Sequence, residues 1–521
     1  MTEDGRGQDA TTTTELAVLT SPDGLLTTAL NGPGRTRIEE RTLPALLPTQ
    51  RWFGGKDKPI EGVALAPLGE LEPGAHALLA ADVAFADEIQ RYLLPVSALW
   101  DGEGARESGT APVLARLALG ARSGVLIDGA LDQSLASALL DAMREGRRIE
   151  GEVGEIVCEA TNALRSLGAL GPPKPLGAEQ SNVSIAFGKE IILKLYRRLR
   201  AGEQPDVEVA RFLTKVGRFA NTPEFLGEIR HVAEWGQPTT LAAAFAFVPN
   251  QGDAWSVVTE ALHRDLQAAA SGEGFSPAAS MGELLGRRTA EMHKALATQT
   301  DDPSFSVERL SPGDVAAWAG EAAAEAEALL DALQSRLPEL RPTSRELAAE
   351  VLSKREALLG RLRAATEMAP SGGRSRNHGD YHLGQVLVSD GDFVIIDFEG
   401  EPRRSLAERR QKSSPLRDVA GMLRSFDYAA WTGLSRCENP TEAVKRRAEA
   451  WRRETGADFL RGYRRHVVGA ASYPDDERFA GALTGLFLLQ KAVYEVGYEL
   501  ANRPDWIDIP LTGVRDLLAE A

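Results

Sequence analysis

The stretch of sequence that decides the fold runs from residue 377 to 399 and reads NHGDYHLGQVLVSDGDFVIIDFE. Asp380 lies in a tight loop, the amide Gln385 follows five residues later, and the apolar run 393–396 ends at a second carboxylate, Asp397. Phosphoryl transfer needs one carboxylate to accept the proton of the acceptor hydroxyl, and an amide and a carboxylate to hold Mg²⁺. The spacing therefore predicts a phosphoryl-transfer site with Asp380 as the general base.

The residues around the second carboxylate predict the metal site. Mg²⁺ prefers oxygen ligands, usually one or two carboxylates together with phosphate oxygens and water. The side chains of Gln385 and Asp397 meet that need. Glu399 is a candidate ligand for a second ion or a hydrogen-bond partner of a ligand; equally, it can pair with Arg403 or Arg404.

The apolar runs 183–187 and 191–196, joined by the turn 188–190, predict a β-hairpin. A nucleotide-binding segment is predicted around Lys194, which follows the apolar residues 191–193 of the second run. A lysine in such a strand can reach the α- and β-phosphates of ATP, with Glu208 on the next helix as its ion-pair partner. The turn before the strands lacks glycine, but its Ser181, Asn182 and Ser184 can still meet phosphate oxygens. The alternative is that Lys194 is an ordinary solvated residue at the edge of a sheet.

A helical run near the C-terminus carries candidate sugar contacts. Lys491, Tyr494, Glu495 and Tyr498 recur at helical spacing and therefore share one face. A cation, a carboxylate and two aromatic hydroxyls suit a sugar, which needs stacking and hydrogen bonds. On the pattern alone, a packed amphipathic helix with exposed tyrosine tips explains these residues better. Asp418, at the start of an apolar helix, is expected to stabilise that helix end.

The order of patterns along the chain predicts an α+β, bilobal, protein-kinase-like fold. The chain has 521 residues, of which 43% are hydrophobic. We predict a disordered leader over 1–32, a small sheet-rich cap subdomain over 33–150, a mixed-sheet nucleotide-binding lobe over 151–250 and a mainly helical lobe over 251–521. The last lobe contains one β-rich insert at the quoted stretch.

Charge and composition exclude several classes of partner. The formal net charge is −16, and nucleic acid or an anionic membrane would require a basic face. The only two cysteines, Cys158 and Cys437, show no metal-ligand spacing. The start of the chain has no basic segment followed by an apolar core, and no apolar run approaches the length of a membrane span. We therefore expect a cytoplasmic protein.

The motif HGDYHLGQ at 378–385 resembles the catalytic loop of aminoglycoside phosphotransferase-like kinases and, more closely, of bacterial maltokinases. Matching pieces lie at 50–56, 179–184, 193–196, 205–208, 247–255, 397–402, 415–427 and 491–510. The resemblance implies a kinase fold with an N-terminal cap and ATP-dependent phosphorylation of maltose to maltose 1-phosphate, which feeds α-glucan synthesis. It implies that Phe247 and Val248 lie at a hinge that receives adenine, and that His382, Lys491, Tyr494 and Tyr498 contact the sugar.

The sequence also departs from this family. Gln490 stands where many relatives are expected to carry an acidic residue, and a change beside Lys491 can alter the acceptor. Glucosamine kinases share the scaffold, so glucosamine or another small sugar is the alternative substrate. A catalytically inactive scaffold is the second alternative. The chain carries no trehalose-synthase barrel, so such an enzyme would be a separate partner.

Overall fold

The computed structural model describes residues 16–101, 111–178, 182–234, 236–270, 281–402 and 404–519. The chain divides into two compact units. Unit 1 contains the chain up to Gln204 together with Phe225–Phe247, and unit 2 contains Pro205–Glu224 and the chain from Val248 onward. Within the described ranges, no helix combines the length and the apolar character that crossing a membrane requires. The predicted α+β fold is confirmed.

The first part of unit 1 is a mixed sheet with flanking helices. Its strands are β1 (Ala17–Ser21), β2 (Gly62–Glu72), β3 (His76–Ala84), β4 (Ile89–Trp100), β5 (Val113–Leu119) and β6 (Arg122–Asp128), and its helices are α1 (Leu26–Leu30), α2 (Gly34–Arg37), α3 (Leu43–Leu46) and α4 (Gln133–Glu145). The spatial order is β1-β5-β6-β4-β3-β2, with β1 parallel to β5.

The predicted leader is wrong for the part that the structure describes. β1 pairs with β5, and Leu26, Ala29 and Leu30 of α1 are buried. Buried and exposed residues alternate along β1, which is the pattern of a strand with one buried face. Residues 1–15 of the predicted leader lie outside the described residues.

The central strand β3 of the first sheet is buried on both faces, because it is apolar at nearly every position. In β3, Leu78 and Ala80 pack into one core with α4, whereas Leu79 and Ala81 pack into another core with α1. Successive side chains of a strand point to opposite faces, which explains this division. The first of these two cores also contains residues of the second sheet of unit 1.

The second sheet of unit 1 is antiparallel throughout. It consists of β7 (Arg148–Gly151), β8 (Gly154–Ala160), β9 (Pro173–Ala178), β10 (Asn182–Phe187), β11 (Ile191–Tyr196), β13 (Phe225–Val232) and β14 (Thr239–Ala246), with helix α5 (Asn162–Ser166) after β8 and the short strand β12 (Arg198–Leu199) after β11. The order is β7-β8-β13-β14-β11-β10-β9. The hairpin predicted around 188–190 is confirmed, because β10 pairs with β11.

Unit 2 is mainly helical. Its helices are α6 (Pro205–Phe212), α7 (Ala254–Ala270), α8 (Met281–Leu296), α9 (Pro312–Arg336), α10 (Pro342–Ser353), α11 (Arg355–Arg363), α12 (Leu406–Arg409), α13 (Leu416–Ser435), α14 (Glu442–Val467), α15 (Glu477–Asn502) and α16 (Asp508–Ala519). Two short strand pairs complete the unit, β15 (Glu308–Arg309) with β16 (Gly373–Arg374) and β17 (Val386–Ser389) with β18 (Asp392–Ile395). Helix α6, which we predicted as part of the nucleotide-binding lobe, belongs to unit 2.

Candidate active site

The β-rich insert of unit 2 is a hairpin that brings Gln385 and Asp397 to the same end. β17 and β18 are antiparallel, with Val386 opposite Ile395. They are joined by Asp390 and Gly391, whose positive φ angles of 49° and 77° fit the tight type I′ turn that an Asp-Gly pair favours. Beyond the strands, the amide of Ile396 donates to the carbonyl of Gln385 at 3.0 Å. The separation of twelve residues in sequence therefore becomes proximity in space.

The carboxylate of Asp380 lies between two nitrogen-bearing side chains. The Nζ atom of Lys491, on α15, is 3.9 Å from Oδ1 of Asp380. On the other side, Nε2 of His382 is 4.0 Å from Oδ2. The pKa of His382 is lowered, chiefly because the surrounding protein limits hydration of the imidazolium, while the charge of Asp380 acts in the opposite direction. The lowered pKa favours the neutral form of His382, and Lys491 forms the ion pair with the candidate base.

The loop that carries Asp380 is anchored by Asp418, in the first turn of α13. Oδ2 of Asp418 accepts from the amide of His378 at 2.8 Å, and Oδ1 accepts from the amide of Gly379 at 3.0 Å. Nε2 of His293, on α8, lies 3.1 Å from Oδ2. Burial alone would raise the pKa of Asp418, but these hydrogen bonds and the histidine hold it below its usual value. Sequence reasoning assigned Asp418 to the helix end and missed its bonds to the loop.

His378 connects this loop with the strand that leads to Asp397. Its Nε2 atom lies 2.9 Å from the carbonyl of Ile396, and its Nδ1 atom accepts from the amide of Asp380 at 3.4 Å. The carbonyl can only accept, so Nε2 carries the proton. The imidazole also packs against the rings of Tyr381 and Phe398. A single buried side chain thus sets the spacing between the candidate base and the metal-binding segment.

Three carboxylates form a candidate magnesium site in unit 2. One oxygen from each of Asp206, Asp397 and Glu399 lies within 4.8 Å of the others. Asp206 is buried, and its Oδ1 accepts from the amide of Phe398 at 3.1 Å. Asp397 has a φ angle of 67°, the left-handed conformation that non-glycine residues seldom adopt and that recurs at functional sites. Oxygen-only donors fit Mg²⁺.

Asp206 is the residue of this group that sequence reasoning missed. It lies in the first turn of α6, directly after Pro205, and two residues before Glu208. An acidic residue in a first helical turn is so common that its position gave no distinctive signal. Its contribution depends on the packing of α6 beside the segment 397–399, which no local pattern reveals. Arg403, a predicted alternative partner of Glu399, lies outside the described residues.

Glu208 forms a double ion pair with two arginines of unit 2. Nη1 of Arg376 donates to Oε2 at 2.8 Å, and Arg410 donates to both oxygens at 2.9 and 2.7 Å. Desolvation would raise the pKa of Glu208, but the hydrogen bonds and charges of Arg410 and Arg376 lower it. The structure thus connects α6 with the segments before the catalytic loop and after the metal-binding segment. The predicted pairing of Glu208 with Lys194 stays a prediction.

The predicted phosphate contacts of unit 1 lie side by side on neighbouring strands. Lys194 on β11 is directly opposite Ser184 on β10, and Asn182 is opposite Tyr196. The ammonium group of Lys194 lies 5.9 Å from the ring centroid of Phe245. Ser181 lies outside the described residues.

The predicted hinge coincides with the boundary between the units, because Phe247 ends unit 1 and Val248 begins the second segment of unit 2. The amide of Phe247 donates to the carbonyl of Glu190 at 2.9 Å. The carbonyl of Val248 accepts from the side chain of Asn250 at 2.8 Å. Adenine recognition by these two residues stays a prediction.

The predicted sugar contacts on α15 divide into two groups. Lys491 lies 5.0 Å from the ring centroid of Tyr494, and Glu401 interacts electrostatically with Lys491 and by a hydrogen bond with Tyr494. Tyr498 lies one turn further along the helix, with the guanidinium of Arg503 5.4 Å from its ring centroid. Glu401 was absent from the sequence-based prediction, although it lies only four residues after Asp397.

Two further side chains of α15 serve the packing around this site. Glu495 is buried and accepts from the Nε and Nη2 atoms of Arg424 at 2.8 and 2.7 Å. The amide of Gln490 accepts from Arg417 at 3.2 Å and donates to Glu325 at 3.1 Å. An acidic residue at 490 could accept from Arg417 but would repel Glu325. The carboxylate of Glu325 therefore explains why an amide, and not the expected acidic residue, occupies position 490.

Comparison with known proteins gives the family. A model of the phosphotransferase enzyme family (APH) matches residues 174–466, and a model of the maltokinase N-terminal cap domain matches residues 46–132. A glucosamine kinase of Streptacidiphilus jiangxiensis is 28% identical over 66% of this chain and 72% of its own length. A glucosamine kinase of Mycolicibacterium smegmatis is 26% identical over 67% and 80%, respectively.

Solved structures show the same fold. A glucosamine kinase in complex with glucosamine, ADP and inorganic phosphate has a TM-score of 0.61 at 22% identity, covering 87% of this chain and 93% of its own. A second crystal form of a glucosamine kinase has a TM-score of 0.62 at 22% identity, with coverage of 92% and 97%. Because the phosphotransferase model spans more than half of the sequence, the chain belongs to the phosphotransferase enzyme family.

Proposed function

We propose that the protein transfers the γ-phosphoryl group of ATP to the anomeric hydroxyl of maltose. The products are ADP and maltose 1-phosphate, a donor for α-glucan synthesis. The bond from the sugar oxygen to phosphorus forms as the bond to the ADP oxygen breaks, and the hydroxyl proton passes to Asp380. Lys194 binds the nucleotide phosphates, assisted by Ser184 and Asn182. A separate trehalose synthase is the partner that this role suggests.

The observation that carries the proposal is the setting of Asp380. Its carboxylate belongs to a loop anchored by two amide hydrogen bonds to Asp418, and its two oxygens face Lys491 and His382. A general base must be held within reach of the proton that it accepts, and a fixed loop provides this. The ammonium of Lys491, 3.9 Å from Oδ1, lies beside the carboxylate and contributes to holding it in place.

The carboxylate oxygens of Asp206, Asp397 and Glu399 fit a magnesium site, and Gln385 is the proposed amide ligand beside them. When bound there, Mg²⁺ would neutralise the negative charge of the nucleotide phosphates during transfer. The contribution of the protein is to hold those oxygens in place: the β17–β18 hairpin fixes Gln385 next to Ile396, and Asp206 fixes the backbone of Phe398.

Two observations favour maltose as the acceptor. The match to the maltokinase cap domain covers residues 46–132. The second observation is the charge next to Asp380. The ammonium of Lys491 would repel the ammonium group of an aminosugar bound beside Asp380, because like charges brought close together repel. The nearby Glu401 interacts with Lys491, Arg404 and Tyr494. This arrangement suits a neutral sugar with hydroxyl groups.

The names of the relatives favour the alternative acceptor. The two curated relatives described above, at 28% and 26% identity, are glucosamine kinases. With that substrate the mechanism is unchanged, but the site must provide a carboxylate for the amino group. Glu401, which interacts with Lys491, and Glu325, which accepts from Gln490, are the candidate carboxylates, and releasing Glu401 from Lys491 would be necessary.

Initial rates of ADP formation with maltose, glucosamine and glucose, at equal concentrations with ATP and Mg²⁺, test the proposal. We expect the highest kcat/KM with maltose. If glucosamine has the higher kcat/KM, the maltose assignment is wrong while the kinase assignment stands. Asp380→Asn is the matched control for coupled-assay background, since it preserves the shape of the side chain and removes the base. If no sugar yields ADP above this background, the inactive scaffold is the better description.

A further inference from the structure

The strand that carries Lys194 continues into the other sheet of unit 1. β11, over Ile191–Tyr196, pairs with β10 and β14 of the second sheet. Directly after it, Arg198 and Leu199 pair with Tyr92 and Arg91 of β4 in the first sheet. Arg197 is the residue at which the chain passes from one sheet to the other. The β4 segment lies within the part of the chain that matches the cap domain.

Several residues of the cap domain contact Arg197 and hold it at this junction. Its Nη2 atom donates to both oxygens of Asp128 at 2.9 and 2.7 Å, and its Nη1 atom donates to the carbonyl of Leu93 at 3.1 Å. Its own carbonyl accepts from the amide of Leu93 at 2.8 Å. The guanidinium lies 4.4 Å from the ring centroid of Trp52. All of these partners lie in the region that matches the cap domain.

The Arg197–Asp128 pair is almost entirely buried, with 3% and 5% of the two side chains exposed. Burying an ion pair gains little stability over a well-packed apolar pair, because both charges lose their hydration. A two-point hydrogen bond is instead directional and fixes the position of the chain. Asp128 is itself held, since its Oδ1 also accepts from the amide of Ala130 at 3.1 Å.

The strand register that is fixed at Arg197 determines which way the side chain of Lys194 points, because Lys194 lies only three residues earlier. Side chains alternate between the faces of a strand, so a shift of one residue would turn Lys194 toward the face where Leu193 and Leu195 are buried. Three residues of a strand span about 10 Å, and no flexible connection separates Lys194 from Arg197. Whatever fixes the register at Arg197 therefore also fixes the direction of Lys194.

We infer that the cap domain positions the phosphate-binding lysine, and that it does so through the Arg197–Asp128 pair. Arg197 and Asp128 are positioning residues for ATP, without contact to the substrate. This inference rests on the proposed role of Lys194 in nucleotide binding. It gives the cap domain a function in catalysis: it holds the end of β11 from which Lys194 extends.

Asp128→Asn tests the inference, since it keeps the shape of the side chain and removes the charge that orients Arg197. We expect the KM for ATP and the Kd for ADP, measured by calorimetry, to rise about tenfold, while the KM for maltose stays within about twofold. Asp82→Asn is the matched control. Asp82, on β3, accepts from Nε and Nη2 of Arg91, on β4, at 2.6 and 2.7 Å, so it also forms an aspartate–arginine pair within the first sheet, but this pair is exposed. A general loss of stability would instead lower the amount of folded protein, and with it the apparent kcat, without a selective rise in the KM for ATP, and that result would overturn the inference.

A double-mutant cycle separates this inference from the proposed function. Lys194→Met alone should raise the Kd for ADP; if it does not, the proposed role of Lys194 is wrong. In the Lys194→Met background, adding Asp128→Asn should have no further effect on that Kd, because the aspartate acts through the lysine. Equal effects in both backgrounds, or none in either, would overturn the inference. If Asp128→Asn fails to fold, Arg197→Lys, which keeps the charge and loses the two-point contact, takes its place in the cycle.

Discussion

Replacing Asp206 by asparagine should stabilise the metal-free protein and weaken its binding of Mg²⁺. The carboxylate oxygens of Asp206, Asp397 and Glu399 lie within 4.8 Å of one another. Two unit charges at that distance repel by about 3.5 kcal/mol at an effective dielectric constant of about 20, and by about 0.9 kcal/mol in bulk water. Asp206 takes part in two of the three pairs, so its neutralisation relieves between about 2 and about 7 kcal/mol. The lower end applies, because Asp397 and Glu399 are partly exposed.

The same substitution removes one ligand charge from the ion. A tenfold loss of Mg²⁺ affinity corresponds to about 1.4 kcal/mol of binding free energy. The substitution preserves the local structure, because the Oδ1 atom of asparagine can still accept from the amide of Phe398. Stability without metal and affinity for metal should therefore change in opposite directions, which a purely structural role of Asp206 would not produce.

Thermal unfolding in EDTA and in a series of Mg²⁺ concentrations measures both quantities, since a ligand that binds only the native state stabilises it by an amount that grows with the ratio of ligand concentration to Kd. Asp206→Asn should raise the Tm in EDTA by several degrees and reduce the increase that Mg²⁺ produces. Asp390→Asn is the control, because it removes one negative charge from the turn of the same hairpin and Asn-Gly suits that turn equally well. A lower Tm in EDTA with an unchanged response to Mg²⁺ would refute the argument and leave Asp206 as a backbone anchor only.

Three further predictions concern single side chains of unit 2. Asp380→Asn should reduce kcat at least about 100-fold with little change in Tm, because it removes the general base and little packing; turnover equal to wild type would show that another group accepts the proton. Lys491→Met should raise the ratio of kcat/KM for glucosamine to that for maltose about tenfold, because it removes the cation that opposes an amino group; an unchanged ratio in the same assays would contradict this. The pKa of Glu208 is lowered, so its contribution to stability is present above the ordinary glutamate value and is lost as the pH falls through the lowered one. Glu208→Gln should therefore cost about 3 kcal/mol near pH 7, and in urea unfolding at several pH values the difference from wild type should shrink in acid; a constant difference would contradict the assignment.

Local patterns of the sequence predicted the elements around the site well. Apolar runs on either side of a glycine turn predicted β10 and β11, and the observed strands begin and end within one residue of the prediction. The β-rich insert predicted between Gln385 and Phe398 is the β17–β18 hairpin. Spacing within a hairpin is reliable because the turn fixes the register. Motif recognition therefore found both ends of the insert.

Packing between distant segments was the part that the sequence did not reveal. Asp206 and Asp397 are far apart in the chain, and Glu401 approaches Lys491 from another segment altogether. Strand β1 was assigned to a disordered leader because five residues with turn signals on both sides carry little information. In each case the decisive contact is non-local, so the periodicity of one segment gives no sign of it.

The buried acid Asp418 shows why the catalytic loop needs more than its own motif. A tight loop leaves backbone amides without partners inside the loop, and buried amides must be paired. Asp418 accepts from two of them, and His293 holds the orientation of the acid. Because α13 contributes Asp418 and α8 contributes His293, the position of Asp380 depends on the packing of two helices that do not contain it. Loss of activity after a substitution in the core of unit 2 would therefore reflect movement of this loop, even where the Tm hardly changes.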